Sequence, residues 1–428
     1  MVEPVTAASV KLYDRPIGAV VWDDTRRVGI FEYTAEFIAS GFEPSPLRLA
    51  TRPGQYQFPE LSRSETFHGL PGLLADALPD AWGSELLRIA VERQGRSLDD
   101  LNPVERLCYV GDRAMGAVTF EPSTYTGGTP DEPIDVSWLA QIASEIVAER
   151  GTFRARMETD GIAELIQLGT SAGGARAKAL VAWNRTSGEI RSGQVEIPDG
   201  YEHWLLKFDG STGGRLGDPQ GFGLIEYAYY QMATNAGVTM AESTVYEDSD
   251  GRSHFMTKRF DRTAPNQRVH THTLGGIGHY DFNQAGHSYE TALRTAIRLN
   301  LGHAELDQLY RRMVFNVIAR NQDDHVKNLS FTMDRTGGWH LSPAYDIIWA
   351  YNPNGPWTAR HQMSVNGRSS AIKRTDLLAV ADQFGIQKAN DIIGEVVNVV
   401  KDWNRYAADN HVDQEQALHI KDTLRTDI

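Results

Sequence analysis

The sequence predicts an α+β fold, rich in β-structure over its first part and helical over its last, on three observations. Residues from about Ser9 to Ala50 carry short β-branched and aromatic runs punctuated by turn residues, the pattern of a small meander. Between Gly161 and Arg262, strand-like apolar runs alternate with small-residue and polar turns. From Ala304 onward the apolar residues recur at helical spacing. A chain of 428 residues exceeds one ordinary core, and the pattern divides it into residues 1–125, 134–262 and 263–428.

Composition sets the outer bounds. A hydrophobic content of 41% with 23% charged residues describes an ordered globular chain and selects no function. The net charge of −14 argues against unaided binding to nucleic acid, so contact with DNA would run through a partner. The single cysteine, Cys108, cannot form an internal disulfide, which fits a reducing cytoplasm; within LCYV it reads as a small buried side chain. The N-terminus lacks a basic segment followed by an apolar one, so no secretion signal is expected. No run reaches about 18 uncharged apolar residues, so no membrane span is expected either.

In order, VKLYD, IGAVVWDD and RVGIFEYTAEFI read as strands turning at Asp14-Arg15-Pro16 and Asp23-Asp24. A Pro/Gly-rich connection leads to GLPGLLADALPDAWGSELLRIAVERQG, whose helical rhythm Pro79 interrupts, with Asp80 placed to cap the next helix. Pro122–Pro133 is the best linker. SWLAQIASEIVAER follows as a helix with Ser137 as its cap candidate. Next come an apolar run, the small-residue loop TSAGGARAK, the strand ALVAW and the strand HWLLKFD carrying Lys207. Small residues let backbone N–H groups close on phosphate oxygens, and a lysine on the following strand can reach them. Read alone, Gly173-Gly174 fits an ordinary turn as well. FGLIEYAYYQMATNAG is a helix closed by Gly237, and STVYEDSDGRSHFMTKRFDR is a hairpin turning at Asp248–Gly251. Its end, Lys258-Arg259-Phe260, would cross between lobes, where backbone groups can meet an adenine edge. Residues 262–287 are rich in Gly, His and Asn and are expected to form an irregular, mobile loop; His270 and His272 lack the spacing of a zinc site.

The densest chemistry lies in Phe315–Asp346. A complete apolar stripe, Leu306, Leu309, Tyr310, Met313, Val314, Val317 and Ile318, ends where polarity rises at Asn321, so NQDDHVKN sits in a loop at a helix end. Kinase catalytic loops place the base five residues before a Mg²⁺-binding Asn. Counting back from Asn328 selects Asp323 over Asp324. Lys327 adds a cation for developing phosphoryl charge. A hairpin turning at Asp334–Gly338 would return Asp346 beside Asn328 as a second metal ligand, with Tyr345 preceding it. Individually, each aspartate could equally cap a turn or a helix.

The ordered set SAGGARAK, HWLLKFD, KRFDR, DDHVKN and SPAYD, with the N-terminal meander and LPD-A-W, resembles the HipA family of bacterial toxin kinases over nearly the whole chain. The resemblance implies a protein-kinase-like bilobal fold with a β-rich N-lobe, a helical C-lobe and a small β-rich N-terminal subdomain. It implies a serine/threonine kinase using ATP and Mg²⁺, with Asp323 as catalytic base and Asn328 and Asp346 as metal ligands. Gly173, Gly174, Ala175, Arg176, Ala177, Lys178, Lys207, Lys258, Arg259, Phe260, His325, Val326, Lys327, Asn328, Tyr345 and Asp346 would lie around ATP. Ser171 corresponds to an inactivating autophosphorylation site, where added charge would oppose docking of ATP phosphates. Glutamyl-tRNA synthetase as target, with arrest of translation, and a HipB-like helix-turn-helix antitoxin as partner are likewise implied. H-R-D itself is absent, with Gln322 in the place of its Arg. Two other readings stay open: a nucleotide-binding regulatory module without catalysis, and, on weaker grounds, a metal-dependent hydrolase using His270 or His272.

Overall fold

Leu12 and Arg15 pair across a two-residue turn in which Tyr13 and Asp14 both adopt positive φ, 51° and 65°. This primed turn matches the twist of its flanking strands and moves the expected bend one residue earlier; Pro16 already lies in the second strand, opposite Lys11 at an irregularity. These features come from a computed structural model that describes residues 4–125, 133–148, 160–169, 176–194, 196–210, 221–264 and 266–428. The chain forms two compact units, Met1–Gly223 with Ser243–Thr271, and Leu224–Glu242 with His272–Ile428.

The first unit holds two five-stranded antiparallel sheets. One runs Gln55–Tyr56, Val28–Tyr33, Arg15–Asp23, Ala7–Leu12, Val118–Glu121 in spatial order. Alternation along its strands turns Ala8, Val10 and Leu12 into the core. Gly18 is required by crowding, since a Cβ there would sit 2.3 Å from the Glu32 carbonyl oxygen. Burial pushes the Cys108 thiol up to about 12, leaving it an inert core side chain.

The other sheet has the order Ile190–Ser192, Lys178–Trp183, Glu202–Lys207, Ser253–Lys258, Ser243–Glu247. Its core unites Trp204 and Met256 with Trp82, Leu86, Leu139 and Leu165 from the helices Ala81–Arg93, Val136–Ala148 and Asp160–Gly169. Trp82 Nε1 donates to the Lys178 carbonyl at 2.9 Å, so the helix after LPD anchors this sheet directly. Asp80 stands at that helix's N-cap position but makes no side-chain cap bond. Asp135, rather than Ser137, accepts the first-turn N–H of the next helix. The hairpin turn forms as expected, with Asp248 Oδ1 accepting the Asp250 and Arg252 N–H groups.

The second unit is built around the helix His303–Ile318, whose whole predicted stripe is buried. Tyr289–Arg298 and Ala389–Lys401 pack against it. The helix Arg374–Phe384 opens where Asp376 accepts the Lys373 N–H at 2.8 Å. The antiparallel hairpin Ser330–Met333 with Trp339–Leu341 turns at Asp334, whose Oδ1 accepts from Thr336 and Gly338 N–H.

Residues 262–287 depart from the expected loop. They contain the strands Arg262–Ala264, Gln267–Arg268 and His270–Thr273 and the helix Leu274–Gly278. The helix forms because Leu274 and Ile277 are fully buried and the Thr273 hydroxyl caps the Gly276 N–H at 2.8 Å. The histidines serve this order, His270 Nε2 meeting the Pro44 carbonyl at 2.9 Å and His287 Nε2 the Asp281 carbonyl at 2.7 Å. Among the described residues no helix is long and apolar enough to cross a membrane. Most of the expected linker, residues 126–132, lies outside the described residues.

Candidate active site

At the end of His303–Ile318 the chain leaves helical geometry through Arg320 at φ 59°. Asn321 and Ala350 then form a short parallel bridge that holds the start of the polar loop. The two aspartates that follow part company. Asp324 is buried, and its carboxylate accepts from Tyr289 Oη, His361 Nδ1 and the Gln362 N–H, each at 2.8 Å. Asn316 Nδ2 in turn donates to Tyr289 Oη at 2.9 Å, tying the network to the helix. Asp323, by contrast, leaves 48% of its side chain exposed, with His325 Nε2 4.0 Å from its carboxylate. Asp324 is thus a buried structural hub, and the adjacent Asp323 carboxylate stands half-exposed.

The loop closes on itself through Asn328. Its Nδ2 donates to the Asp323 carbonyl at 2.9 Å, and its N–H donates to the His325 carbonyl at 2.9 Å. Committing the amide nitrogen orients the amide and leaves Oδ1 as a neutral oxygen donor. Val326 is buried, its carbonyl receiving the Gly275 N–H at 3.0 Å. Lys327 Nζ lies 5.3 Å from the centre of the Phe282 ring, which also packs on His325. Tyr345 Oη donates to the Lys327 carbonyl at 2.7 Å, so the segment carrying Asp346 is fastened to the loop.

Asp346 adopts φ 56°, a left-handed conformation that an L-residue other than Gly or Asn/Asp rarely takes. Such a backbone persists where the surroundings over-determine it, commonly at functional positions. Asn328 and Asp346 line one cavity of about 20 Å³, together with Asp324, Tyr289, Arg312 and Asn316. Mg²⁺ is held by one or two carboxylates with substrate phosphates and water rather than by an all-protein cage. One amide oxygen and one carboxylate fit that habit. Among the described residues no group of three or more His, Cys, Asp or Glu could cage a metal.

The candidate phosphate-side residues lie in the other unit. Ser171, Gly173, Gly174 and Ala175 fall outside the described residues. Arg176 sits over the Phe222 ring at 5.0 Å, and the Ala177 carbonyl accepts the Phe208 N–H at 3.0 Å. Lys178 is not in the loop: it opens a strand, directly opposite Lys207 on the antiparallel neighbour. Both are buried, which places two ammonium side chains at facing positions of the sheet. Phe255 flanks Lys207, its ring centre 5.5 Å from Nζ.

At the strand end, Lys258 pairs with Glu202. The Arg259 N–H is taken by the His203 carbonyl at 2.9 Å and its Nε and Nη2 grip Asp261 at 2.9 and 2.7 Å, while Nη1 has no hydrogen-bond partner among the described residues. Half-buried Phe260 follows it. Arg262 and the Gly116 N–H, each at 2.7 Å, complete the shell of Asp261. Burial opposes its charge, but the two arginines and these hydrogen bonds leave the carboxyl well below its usual range. Burial first, then the charges of Arg259 and Arg262, push neighbouring His203 down to about 3.

Two family descriptions match the sequence: a HipA N-terminal domain over residues 8–121 and a HipA-like C-terminal domain over residues 170–403. The chain belongs to the HipA family. Among solved structures, HipA of Shewanella oneidensis MR-1, determined with HipB and operator DNA, is similar at TM-score 0.66 and 18% identity over 97% of this chain and 95% of that one. This HipA-family chain thus has the α+β, kinase-like fold expected from its sequence. The Helicobacter pylori proinflammatory kinase CtkA is a more distant neighbour, at TM-score 0.35 and 11% identity over 60% of this chain and 90% of that one. No curated protein sequence matches the chain.

Sequence reasoning missed Tyr289, Arg312, Asn316 and His361. Arg312 and Asn316 carried a readable signal, since they lie three and seven positions after Leu309, on the buried face of an otherwise apolar stripe.

Proposed function

We propose that this HipA-family chain is an ATP-dependent protein serine/threonine kinase of the toxin type, working with Mg²⁺. ATP and Mg²⁺ supply the transferable phosphoryl group and screen its charge. Asp323 accepts the proton of the attacking serine hydroxyl, the role its exposure permits and the burial of Asp324 denies to its neighbour. Asn328 Oδ1 and the Asp346 carboxylate are the protein's metal ligands. Lys178 and Lys207 hold phosphate oxygens from the sheet, and Gly173, Gly174, Ala175 and Ala177 belong to the same nucleotide-binding set. Arg176, Lys258, Arg259, Phe260, His325, Val326, Lys327 and Tyr345 complete the surroundings of the nucleotide, Arg259 as support. In this reading residues 1–125 are the N-terminal subdomain, 134–262 the β-rich lobe and 263–428 the helical lobe.

The observation that carries the reading is the division between the adjacent aspartates, with Asn328 tied to the Asp323 carbonyl five residues away. A proton acceptor and a metal-binding amide are thereby held in one short loop, as phosphoryl transfer to a hydroxyl requires. The same proposal extends to autophosphorylation at Ser171, a cytoplasmic protein target such as glutamyl-tRNA synthetase, and a HipB-type antitoxin that brings the chain to DNA. The HipB–DNA assembly of the Shewanella relative and the −14 net charge support that last point.

The test is incubation with labelled ATP, Mg²⁺ and a cell extract, followed by identification of the labelled protein and residue. Label is expected on a serine of a target or on Ser171, and to vanish in Asp323→Asn and Asp346→Asn. Stabilisation by ATP with no transfer under any condition would instead favour a nucleotide-binding regulator.

A further inference from the structure

Arg312 stands apart among the buried cations of the second unit. It projects from the buried face of His303–Ile318 with 4% of its surface exposed. Nη2 donates to the Ser342 carbonyl, which lies in SPAYD, the segment that ends at Asp346. Among the described residues, Nε and Nη1 have no hydrogen-bond partner and no carboxylate lies within ion-pair distance. A buried guanidinium with two unsatisfied donors is expensive. Arg312 also lines the cavity of about 20 Å³ shared with Asn328 and Asp346. That volume suits about one water molecule, and the walls supply more than the two polar partners a buried water needs.

We propose that Arg312 is a positioning residue for the metal-binding carboxylate: it clamps SPAYD through Ser342 and, through one buried water, orients and electrostatically secures Asp346. The inference rests on the kinase reading of Asn328 and Asp346 and deepens it. Asp346 is the position in greatest need of such support, since its backbone is held at φ 56°. Tyr345 is fixed from the other side by the Lys327 carbonyl, so the two fastenings bracket the carboxylate between the catalytic loop and the helix. Outer groups that orient a metal ligand typically change metal affinity by about 10- to 100-fold when removed. A purely structural arginine would change the melting temperature and leave metal affinity alone.

The experiment is titration of the full chain with Mn²⁺, in the presence of a non-hydrolysable ATP analogue, followed by the electron paramagnetic resonance of free Mn²⁺. Arg312→Gln keeps a donor for Ser342 but loses the charge, and should bind Mn²⁺ about tenfold more weakly. Arg312→Lys keeps the charge and should stay within about threefold of wild type. In an Asp346→Asn background, Arg312→Gln should add less than about twofold, because the group it positions is already changed. Wild-type Mn²⁺ affinity in Arg312→Gln, equal losses in the Gln and Lys variants, or independent effects in the double variant would overturn the proposal. A high-resolution crystal structure of the wild-type protein decides the matter without any variant. A water bonded to both Arg312 and Asp346 is expected; a dry cavity, or a water that does not reach Asp346, overturns it. If the wild-type protein with the analogue binds no Mn²⁺ at all, the kinase reading falls with it; if only the Arg312 results fail, that reading stands.

Discussion

Replacing each of the adjacent aspartates separates fold from chemistry. Asp324→Ala removes the acceptor for Tyr289 Oη, His361 Nδ1 and the Gln362 N–H, all at 2.8 Å in a buried site. Each stranded donor costs about 1–3 kcal/mol, and breaking a buried charged hub by deleting one partner typically costs about 3–5 kcal/mol. Partial relaxation keeps the three losses from adding fully, so we expect about 3–5 kcal/mol. At about 2–4 °C per kcal/mol for a folding unit of this size, the melting temperature should fall by about 10 °C. Asp323→Asn changes a half-exposed, isosteric side chain with His325 Nε2 4.0 Å from its carboxylate. Its stability effect should stay within about 0.5 kcal/mol, while phosphoryl transfer drops by about 10²–10⁴-fold with the loss of the base. Thermal melts and transfer of label from ATP read the two effects side by side. If Asp324→Ala melts with the wild-type protein, or Asp323→Asn transfers phosphate normally, the division of labour is wrong.

Three further outcomes follow from other parts of the chain. Lys178→Met removes one of two buried lysines that face each other across the ladder; on the proposed kinase reading it should weaken ATP binding about tenfold or more. Isothermal titration checks this, and an unchanged ATP affinity removes Lys178 from the site. His203 is held down to about 3 by burial and by Arg259 and Arg262, so the unfolded chain binds its proton first as pH falls below about 6.5. Stability should therefore decline from about pH 6.5 towards 3 by up to about 1.4 kcal/mol per pH unit, and the depressed Asp261 carboxyl extends the loss below about pH 4. Urea midpoints at pH 5 and 7 should lie closer together in His203→Gln; an unaltered gap refutes the assignment. At Asp346, where φ is 56°, Asp346→Gly should be more stable than Asp346→Ala by about 1 kcal/mol, since only glycine escapes the left-handed penalty, while both lose transfer. Equal denaturation midpoints for the two would remove the strain argument.

The parts of this fold legible in the sequence are those fixed by local rules. The stripe from Leu306 to Ile318 needs only a period of 3.6, and the hairpins around Asp248 and Asp334 only turn chemistry. Residues 262–287 were misjudged because their order comes from distant partners, such as the Pro44 carbonyl for His270. Composition reports Gly and His and says nothing of those partners. Lys178 was readable as a lysine near a phosphate loop, but its position opposite Lys207 depends on strand register, which local pattern leaves open.

The loop after His303–Ile318 shows where this limit bears on the proposed function. Asp323 and Asp324 are identical in kind and adjacent in sequence, and a motif spacing borrowed from kinases could rank them only by counting. Their physical difference comes from Tyr289 and His361, which lie 35 and 37 residues away and close on Asp324 alone. That closure also explains why the pair is needed. A single exposed aspartate at a helix end would have no fixed backbone from which to meet a hydroxyl; burying its neighbour in a saturated network, and tying Asn328 to its own carbonyl, supplies one. Two costly features, an Arg312 whose Nε and Nη1 lack partners among the described residues and a left-handed Asp346, line the same cavity as Asn328. On the proposed kinase reading, rigidity falls where a ligand is to be held and exposure at the carboxylate that is to accept a proton.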